Sequence, residues 1–371
     1  MIYLDNAATT LHKPQTVHEA VSFAMQHCGS LGRSGHGAAE LAAELAFSCR
    51  SVAGELFSVS PECVVFTMNC THALNLAIMT LVKPGDRVVV SGYEHNAVLR
   101  PLVQRKANIV PVRSELFDQE SALEGFRTAL TPDTKVAVVS HVSNVFGFIQ
   151  PINEIAKLCR HRDIPLVIDA AQSAGILPVS MEDTGAAFIA MPGHKALYGP
   201  MGTGMLLCGR VPEPVLFGGT GSISKSMEMP EFLPDRAEAG THNVPGIVGL
   251  LEGLRFIQQS GIDRINRHER HLKETMVKRL ERIPKLRVFS NRQHQTGVVS
   301  VSPETISCEE FGQRLSEKEI AVRAGLHCAP LAHQTVGTLK QGTVRLSLSY
   351  FNTMDDIEIV CDTISEILCD C

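Results

Sequence analysis

Two residues stand out as a pair that could carry chemistry. Lys195 lies in the glycine- and proline-rich segment MPGHKALYGPMGTG, directly after His194. Upstream, the apolar run PLVIDAAQS predicts a short buried strand that ends at Asp169. A buried acid needs a cationic partner or several hydrogen bonds. The pair therefore indicates pyridoxal phosphate (PLP), which forms a Schiff base with a lysine and pairs its pyridinium nitrogen with an acid.

A PLP enzyme also needs a phosphate site, and one candidate follows a predicted strand. The strand at Cys63–Thr67 leads through Cys70 into a predicted helix that begins at Thr71, with His72 beside it. The free N–H groups and the positive dipole end of a helix N-terminus suit a phosphate dianion. A simple N-cap role for Thr71 is the alternative, and the neighbouring Lys195 motif favours the phosphate site.

Three further polar residues are candidates for contacts with the cofactor ring. His95 follows the predicted strand Arg87–Ser91, where it can stack on a pyridine ring and move protons. A lone histidine is more often structural, so this prediction depends on its neighbours. Asn144 follows the next apolar strand but one, and Gln172 lies just after Asp169. Both can reach the phenolic oxygen of the ring.

Two features of the last fifty residues point to the reaction. Cys328 lies in RAGLHCAPL, where cationic neighbours favour the reactive thiolate. Most of the other ten cysteines lie in apolar segments and are predicted to be small hydrophobic residues. Arg345 lies in the apolar strand TVRLSLS, and a buried arginine must be paired. Its partner is either a substrate carboxylate or a structural acid.

The composition excludes several classes of protein. The net charge is −5 without a long run of one sign, so we expect no nucleic acid and no anionic membrane as a partner. No apolar stretch reaches the length of a membrane span, and no secretory signal is evident. No zinc-type cysteine spacing appears, so no metal is expected. Eleven cysteines in a chain of 371 residues indicate reduced thiols in the cytoplasm.

The order of predicted elements gives the fold class. Between residues 63 and 208, continuous apolar strands alternate with helices, which predicts a mostly parallel sheet with ligands at the carboxyl ends of its strands. A long loop at 217–245 follows, and strands and helices then alternate in an α+β pattern. We predict a large PLP-binding domain at 15–245 and a small domain formed by 1–14 and 246–371, which carries Cys328.

The ordered motifs resemble those of a known superfamily. The set YLDNAATT, GRSGH, EHNAV, SNVFG, DAAQS, GHKALYGP, EAGTHN, RAGLHCAP and VRLSLSYFNT covers nearly the whole chain. It resembles the class V aminotransferase superfamily and, within it, the cysteine desulfurases and selenocysteine lyases. The resemblance implies a fold-type I PLP enzyme with a seven-stranded sheet in its large domain, and it implies a homodimer.

The resemblance also assigns roles to individual positions. It implies Lys195 as Schiff-base lysine, Asp169 on the pyridine nitrogen, His95 stacked on the ring, Asn144 and Gln172 near the phenolic oxygen, and Cys70, Thr71, His72 and His194 at the phosphate. Gly240 and Thr241 would reach the phosphate of the neighbouring subunit. One departure is Pro192, which stands where the family often has a phosphate-binding serine.

For the substrate, the resemblance implies binding by Ala7, Arg33, His36, Asn144, Arg323 and Arg345, with Arg345 on the carboxylate. Cys328 would attack the sulfur or selenium of L-cysteine or L-selenocysteine, leaving alanine and a Cys328 persulfide. An acceptor protein would then receive the sulfur or selenium. Two alternatives stay open: another class V PLP aminotransferase or lyase, which would not need Cys328, and a sulfur-carrier or scaffold-binding protein without catalysis.

Overall fold

The protein is described here by a computed structural model that covers residues 1–31 and 34–369. These residues form thirteen β-strands and twelve α-helices, with short 3₁₀ turns at Pro61–Cys63 and Asp235–Ala237. The strands are β1 (Ile2–Tyr3), β2 (Val64–Thr67), β3 (Arg87–Ser91), β4 (Asn108–Val112), β5 (Thr134–Ser140), β6 (Leu166–Asp169), β7 (Phe188–Pro192), β8 (Gly204–Cys208), β9 (Leu286–Phe289), β10 (Val298–Pro303), β11 (Ile320–Ala321), β12 (Arg323–Gly325) and β13 (Thr343–Ser347).

The α-helices lie between these strands and after the last of them. They are α1 (Gln15–His27), α2 (Gly37–Phe57), α3 (Cys70–Leu81), α4 (Asn96–Gln104), α5 (Gln119–Ala129), α6 (Ile152–His161), α7 (Met181–Thr184), α8 (Val244–Ser260), α9 (Ile262–Leu280), α10 (Cys308–Glu317), α11 (Pro330–Val336) and α12 (Met354–Cys369). Within the described ranges, no helix combines the length and the apolar character that crossing a membrane requires.

The large sheet has seven strands in the order β2-β8-β7-β6-β5-β3-β4. All neighbours in it pair in parallel except at β8, which is antiparallel to both β2 and β7. Its central strands are apolar and buried because helices cover both faces of the sheet. The predicted mostly parallel sheet is confirmed. Because parallel strands end at one edge, β3, β5 and β6 deliver the residues that follow them to the same place.

A second sheet of four antiparallel strands has the order β12-β13-β10-β9. Helices α9, α10 and α12 pack on it around a separate apolar core, which confirms the predicted α+β part of the chain. The N-terminal strand β1 pairs in parallel with β11, so the first residues of the chain join this second unit. Helix α8 packs on α1 and α2. The predicted boundary at residue 245 stays a prediction.

Several elements of the second unit are absent from the sequence-based prediction. Strands β9, β11 and β12 and helix α11 are short, and none shows the apolar period that identifies an element in isolation. The pairing of β12 with β13 sets Arg323 directly opposite Arg345. Tertiary pairing therefore brings two arginines together that are far apart in the sequence.

One buried ion pair fastens the segment at 235–243 to the large sheet. The two carboxylate oxygens of Glu238 accept hydrogen bonds from the two terminal nitrogens of Arg50 at 2.8 and 2.7 Å. Glu238 also accepts from the backbone N–H of Phe66 at 2.6 Å and contacts His242 Nε2 at 2.6 Å. The Arg50 guanidinium keeps the pKa of Glu238 below its usual value although burial opposes this. Arg50 and Glu238 therefore form a charged pair, and both carboxylate oxygens of Glu238 accept hydrogen bonds.

Replacing Glu238 by alanine is expected to cost about 3–5 kcal/mol of stability, because it leaves the Arg50 guanidinium buried without a counter-charge. Chemical denaturation followed by circular dichroism measures this cost. Glu213→Ala is the matched control: Glu213 pairs with Arg236 at 2.7 Å but is 64% exposed, so its loss is expected to cost less than about 1 kcal/mol. Equal losses in the two variants would contradict a structural role for the buried pair.

Candidate active site

A cavity of about 220 Å³ lies at the carboxyl edge of the large sheet, where the two units of the chain meet. It brings together most of the residues that the sequence predicts for the site. Of these, the lining includes Ala7, Cys70, Thr71, His95, Asn144, Asp169, Gln172, His194, Lys195, Arg323 and Arg345. One cavity is therefore lined by residues of the N-terminal turn, of β6, β7 and α3, and of the second unit.

Lys195 and Asp169 lie in this cavity as the sequence predicts. Asp169 is the last residue of β6, and its Oδ1 accepts hydrogen bonds from the backbone N–H of Ala171 at 2.9 Å and from the Cys70 thiol at 3.5 Å. Burial raises the pKa of Asp169, and burial lowers the pKa of Lys195. Each charge counteracts the other's shift. Burial therefore shifts Lys195 toward the neutral amine that a nucleophilic lysine needs, and Asp169 limits that shift.

His95 is fixed by the start of helix α4. Its Nδ1 accepts a hydrogen bond from the backbone N–H of Ala97 at 3.0 Å, so the ring is the N-cap of the helix. Burial, and then the charge of Lys195, lowers the pKa of His95 to about 4. The ring is therefore neutral near pH 7. Because Nδ1 is an acceptor, the single proton of the neutral ring is on Nε2, which can donate toward the cavity.

Asn144 and Gln172 are both anchored to neighbouring backbone. Asn144 Nδ2 donates to the carbonyl of His327 at 2.8 Å, and its buried Oδ1 has no partner in the described part of the chain. Gln172 Nε2 donates to the carbonyl of Ala7 at 2.9 Å. The two amides therefore link the large sheet to the Cys328 loop and to the N-terminal turn, and their assigned contacts with a ring oxygen stay predictions.

The predicted phosphate end of the cavity differs in detail from the expectation. Helix α3 begins at Cys70, and its N-cap is Asn69, which accepts from the backbone N–H of His72 at 2.9 Å; Thr71 is not the N-cap. The first backbone N–H groups of a helix have no intrahelical acceptor, so those of Cys70 and Thr71 are suited to an anion. The His72 side chain lines a separate cavity.

His194 and Pro192 form the opposite side of that end. The ring of His194 has a buried Nδ1 without a hydrogen-bond partner among the described groups, and burial lowers its pKa to about 4. Its carbonyl accepts from the hydroxyls of Thr9 and Thr10 at 3.1 Å each, which hold the lysine loop on the N-terminal turn. Pro192 lines the cavity at the end of β7 without a donor.

Arg345 is the fixed cation of the second unit. Its side chain is 1% exposed; Nη2 pairs with Asp5 Oδ1 at 2.6 Å and Nη1 donates to the carbonyl of Asn144 at 2.9 Å. Its Nε is buried and has no acceptor among the described groups. The two roles predicted for Arg345 are therefore compatible. It forms a structural salt bridge with Asp5, and its Nε–H remains available as a donor to a ligand.

Cys328 is exposed at the rim of the site, on the loop between β12 and α11. Its Sγ lies 3.8 Å from Arg323 Nη2, and its carbonyl accepts from the backbone N–H of Asn96 at 2.8 Å. Both His327 and Cys328 adopt positive φ angles, 50° and 56°, which non-glycine residues rarely adopt. The bonds to Asn96 and Asn144 hold this uncommon conformation beside His95.

Some predicted residues are not in this cavity. His36 is exposed at the start of α2, and Arg33 lies outside the described residues. Gly240 and Thr241 line a second cavity of about 150 Å³, together with His72. These placements are those of a single chain, so the predicted contact of Gly240 and Thr241 with a neighbouring subunit stays a prediction.

Sequence reasoning missed three residues that position the site. Asp5 pairs with Arg345, His327 receives the Asn144 amide, and Glu94 lies buried beneath His95. Glu94 accepts from the backbone N–H of Ser140 at 2.8 Å and from its hydroxyl at 2.6 Å, which joins the turn after β3 to the end of β5. The one available signal was that Asp5, Glu94 and His327 lie within the motifs YLDNAATT, EHNAV and RAGLHCAP.

A fourth missed residue, Glu269 of α9, lies behind Lys195. A narrow cavity of about 20 Å³ is lined by both residues and by Tyr198. Glu269 is 2% exposed, its Oε2 has no hydrogen-bond partner among the described groups, and burial raises its pKa to about 8. Burial, and then the neighbouring Glu269, raises the pKa of Tyr198.

The residues of the main cavity fit PLP. Asp169 is a buried acid that has no arginine partner among the described residues, and Lys195 lines the same cavity. The buried Asn144 Oδ1, His194 Nδ1 and Arg345 Nε are unpaired polar atoms around it. A buried polar group without a partner is costly, so a bound ligand with an amine, oxygen and carboxylate would relieve several of these costs together.

Comparisons with known proteins agree with this site. Residues 2–360 match the family described as Aminotransferase class-V. A "Probable cysteine desulfurase" of Xylella fastidiosa is 32% identical over 372 residues, covering 96% of this chain and 88% of the relative. One from Mycolicibacterium paratuberculosis is 33% identical over 97% of this chain, which spans only 54% of that longer protein. The cysteine desulfurase structure from Thermococcus onnurineus, in its apo form, aligns with a TM-score of 0.92 at 29% identity, covering 100% of this chain and 95% of that one.

The buried Glu269 predicts a pH dependence of stability. Its pKa is raised in the folded protein from 4.5 to about 8, so its contribution is fully present below about pH 4.5 and is lost as the pH rises through about 8. We expect Glu269→Gln to flatten the fall of the thermal unfolding midpoint between about pH 4.5 and about pH 8. Glu274→Gln, on the same helix but partly exposed, is the control. An unchanged pH profile in Glu269→Gln would refute the shift.

Proposed function

This chain belongs to the class V aminotransferase family, whose members depend on PLP, and we propose that it is a cysteine desulfurase. In the proposed reaction, L-cysteine is converted to L-alanine and its sulfur is transferred to Cys328 as a persulfide. The observation that supports this most is the exposed Cys328 thiol beside Arg323, at the rim of the cavity that contains Lys195 and Asp169. An aminotransferase has no need of that thiol.

The residues of this chain would bind the cofactor and the substrate from opposite sides. Lys195 would hold PLP covalently, Asp169 would pair with its pyridine nitrogen, and the first turn of α3 would bind its phosphate. When bound, PLP supplies an electron sink for the carbanion at the substrate Cα. Arg345, through Nε and its remaining N–H groups, would bind the substrate carboxylate. Lys195, once free as an amine, would remove the Cα proton.

The sulfur transfer would be carried out by Cys328. Its thiolate attacks the substrate sulfur, so that an S–S bond forms while the Cβ–S bond breaks, and the bonding electrons stay on the carbon fragment that becomes alanine after protonation. Arg323 Nη2 lies 3.8 Å from Sγ, so its charge is next to the attacking sulfur. His95, with its proton on Nε2, would donate a hydrogen bond to the substrate sulfur and a proton to the carbon fragment.

L-selenocysteine is the second candidate substrate. The segment around Cys328 is short, and the loop is fixed by the bonds to Asn96 and Asn144. The Cβ–Se bond is weaker than the Cβ–S bond. It can break without a thiol acceptor, with release of Se(0) while the bonding electrons stay on the carbon fragment that becomes alanine. We propose that an acceptor protein receives the sulfur from the Cys328 persulfide at the exposed rim of the site, as cysteine desulfurases pass sulfur to acceptor proteins.

A homodimer is part of the proposal. The segment at 216–232 exposes large apolar side chains; Phe217 is 78% exposed and Met227 is fully exposed. Such a patch is typical of a protein interface. In a dimer, Gly240 and Thr241, which follow this segment, would reach the phosphate of the neighbouring subunit. All ten described cysteines are unpaired, and we propose a reducing compartment, the cytoplasm, as the location.

The test is to incubate the PLP-loaded protein separately with L-cysteine and L-selenocysteine and to measure alanine. We expect alanine from L-cysteine, and Cys328→Ala should lower this rate by about a thousandfold or more, the scale seen when a nucleophile is removed. The same variant should keep much of the selenocysteine reaction. Cys369→Ala removes another exposed thiol and should change neither rate.

Three results would contradict the proposal. Equal loss of both activities in Cys328→Ala would mean that the thiol has no specific role in sulfur transfer. Amino transfer that depends on a keto acid, without release of sulfide or persulfide, would identify an aminotransferase. Absence of a cofactor absorbance band that borohydride removes would favour the non-catalytic carrier.

A further inference from the structure

The charged groups at the substrate end of the site form a continuous row. Asp5 Oδ1 lies 2.6 Å from Arg345 Nη2, Arg345 lies directly opposite Arg323 across the β12–β13 pair, and Arg323 Nη2 lies 3.8 Å from Cys328 Sγ. The row thus runs from an acid through two cations to the thiol. When Cys328 is a thiolate, the two positive charges are matched by two negative ones before a substrate arrives.

Apart from Arg323 and Arg345, none of the described residues that line this end of the cavity offers a free cation to an acidic side chain. The histidines that line the cavity are neutral near pH 7, because burial lowers the pKa of His95 and of His194 to about 4 and that of His327 to about 2. Lys195 is opposed by Asp169 at the other side of the cavity. Among the described lining residues, Arg323 and Arg345 are therefore the cations that can face a substrate.

Arg345 can still bind one carboxylate while it is paired with Asp5. A guanidinium has five N–H donors, of which Asp5 and the Asn144 carbonyl engage two groups, and the buried Nε has no acceptor among the described residues. One α-carboxylate would therefore satisfy this arginine. A second carboxylate on the same ligand would have to pair with Arg323, in competition with Cys328 Sγ.

We propose that Asp5 is a specificity-determining residue, which cancels the surplus charge of Arg345 so that amino acids with a neutral side chain are accepted and those with an acidic side chain are rejected. The proposal rests on the proposed function for the identity of the substrate, and on the geometry of the row for the selection. In a cavity of low dielectric constant, one uncompensated charge changes ligand affinity strongly. Asp5 acts through Arg345 and does not need to touch the substrate.

The test compares two ligands of nearly equal shape, L-asparagine and L-aspartate, which differ in side-chain charge. Their dissociation constants are measured on the PLP-loaded protein from the change in cofactor absorbance. We expect the wild-type protein to bind asparagine more tightly than aspartate. Asp5→Asn keeps the size of the side chain and an acceptor for Arg345, and it should shrink that ratio by about tenfold by improving the binding of aspartate.

A control and a second variant make the test decisive. Asp133→Asn removes an acid that also pairs with an arginine, Arg87 at 3.7 Å, but at the opposite end of β5, and it should leave the ratio unchanged. Arg323→Gln should widen the ratio against aspartate, and it is informative even if Asp5→Asn does not fold.

Two outcomes would overturn the proposal. An unchanged ratio in Asp5→Asn would show that Asp5 has no part in selection, and an equal gain for both ligands would show that it acts on the shared α-carboxylate alone. Because binding of these ligands requires no sulfur transfer, the ratio is measured independently of the cysteine assay. Failure of the proposed desulfurase activity and failure of the charge selection are thus separate results.

Discussion

The buried carboxylate of Asp169 is the constraint on which the site depends. It ends a strand that is buried over its whole length, and it faces Lys195 without an arginine or a lysine salt bridge among the described residues. Burial favours its neutral form, and a ligand with a cationic nitrogen beside it would favour the charged form. The cavity therefore suits a pyridinium, and its shape follows from where β5, β6 and β7 end.

The second unit of the chain turns a cofactor cavity into a reaction site. The antiparallel pair β12–β13 carries Arg323 and Arg345 to the mouth of the cavity, and the loop after β12 adds Cys328. The N-terminal turn ties the two units together, because Asp5 bonds to Arg345 while the carbonyl of Ala7 accepts from Gln172. A motion of one unit relative to the other would change the carboxylate site and the distance of the thiol together.

Much of the large sheet could be predicted from the sequence because its strands are buried on both faces. The strand at Arg87–Ser91 has its predicted bounds, and the strand predicted to end at Asp169 ends there. Their apolar runs are bounded by turn residues, which is a local signal. The sequence does not predict β9, β12 or α11, because contacts with neighbouring elements, and not a pattern in their own residues, stabilise their regular structure. The N-cap Asn69 was missed because a cap depends on the local backbone path.

The sequence by itself determined the cofactor chemistry and the order of the parts. Residue type and position in the sequence identify Lys195, Asp169, His95 and Cys328. The first three line one cavity, and the thiol of Cys328 lies at its rim. Only the tertiary structure decided which charges meet: Asp5 and Arg345 are separated by 340 residues in the chain yet lie 2.6 Å apart. Local patterns record what each segment buries, whereas the pairing of charges depends on long-range packing that brings distant segments together.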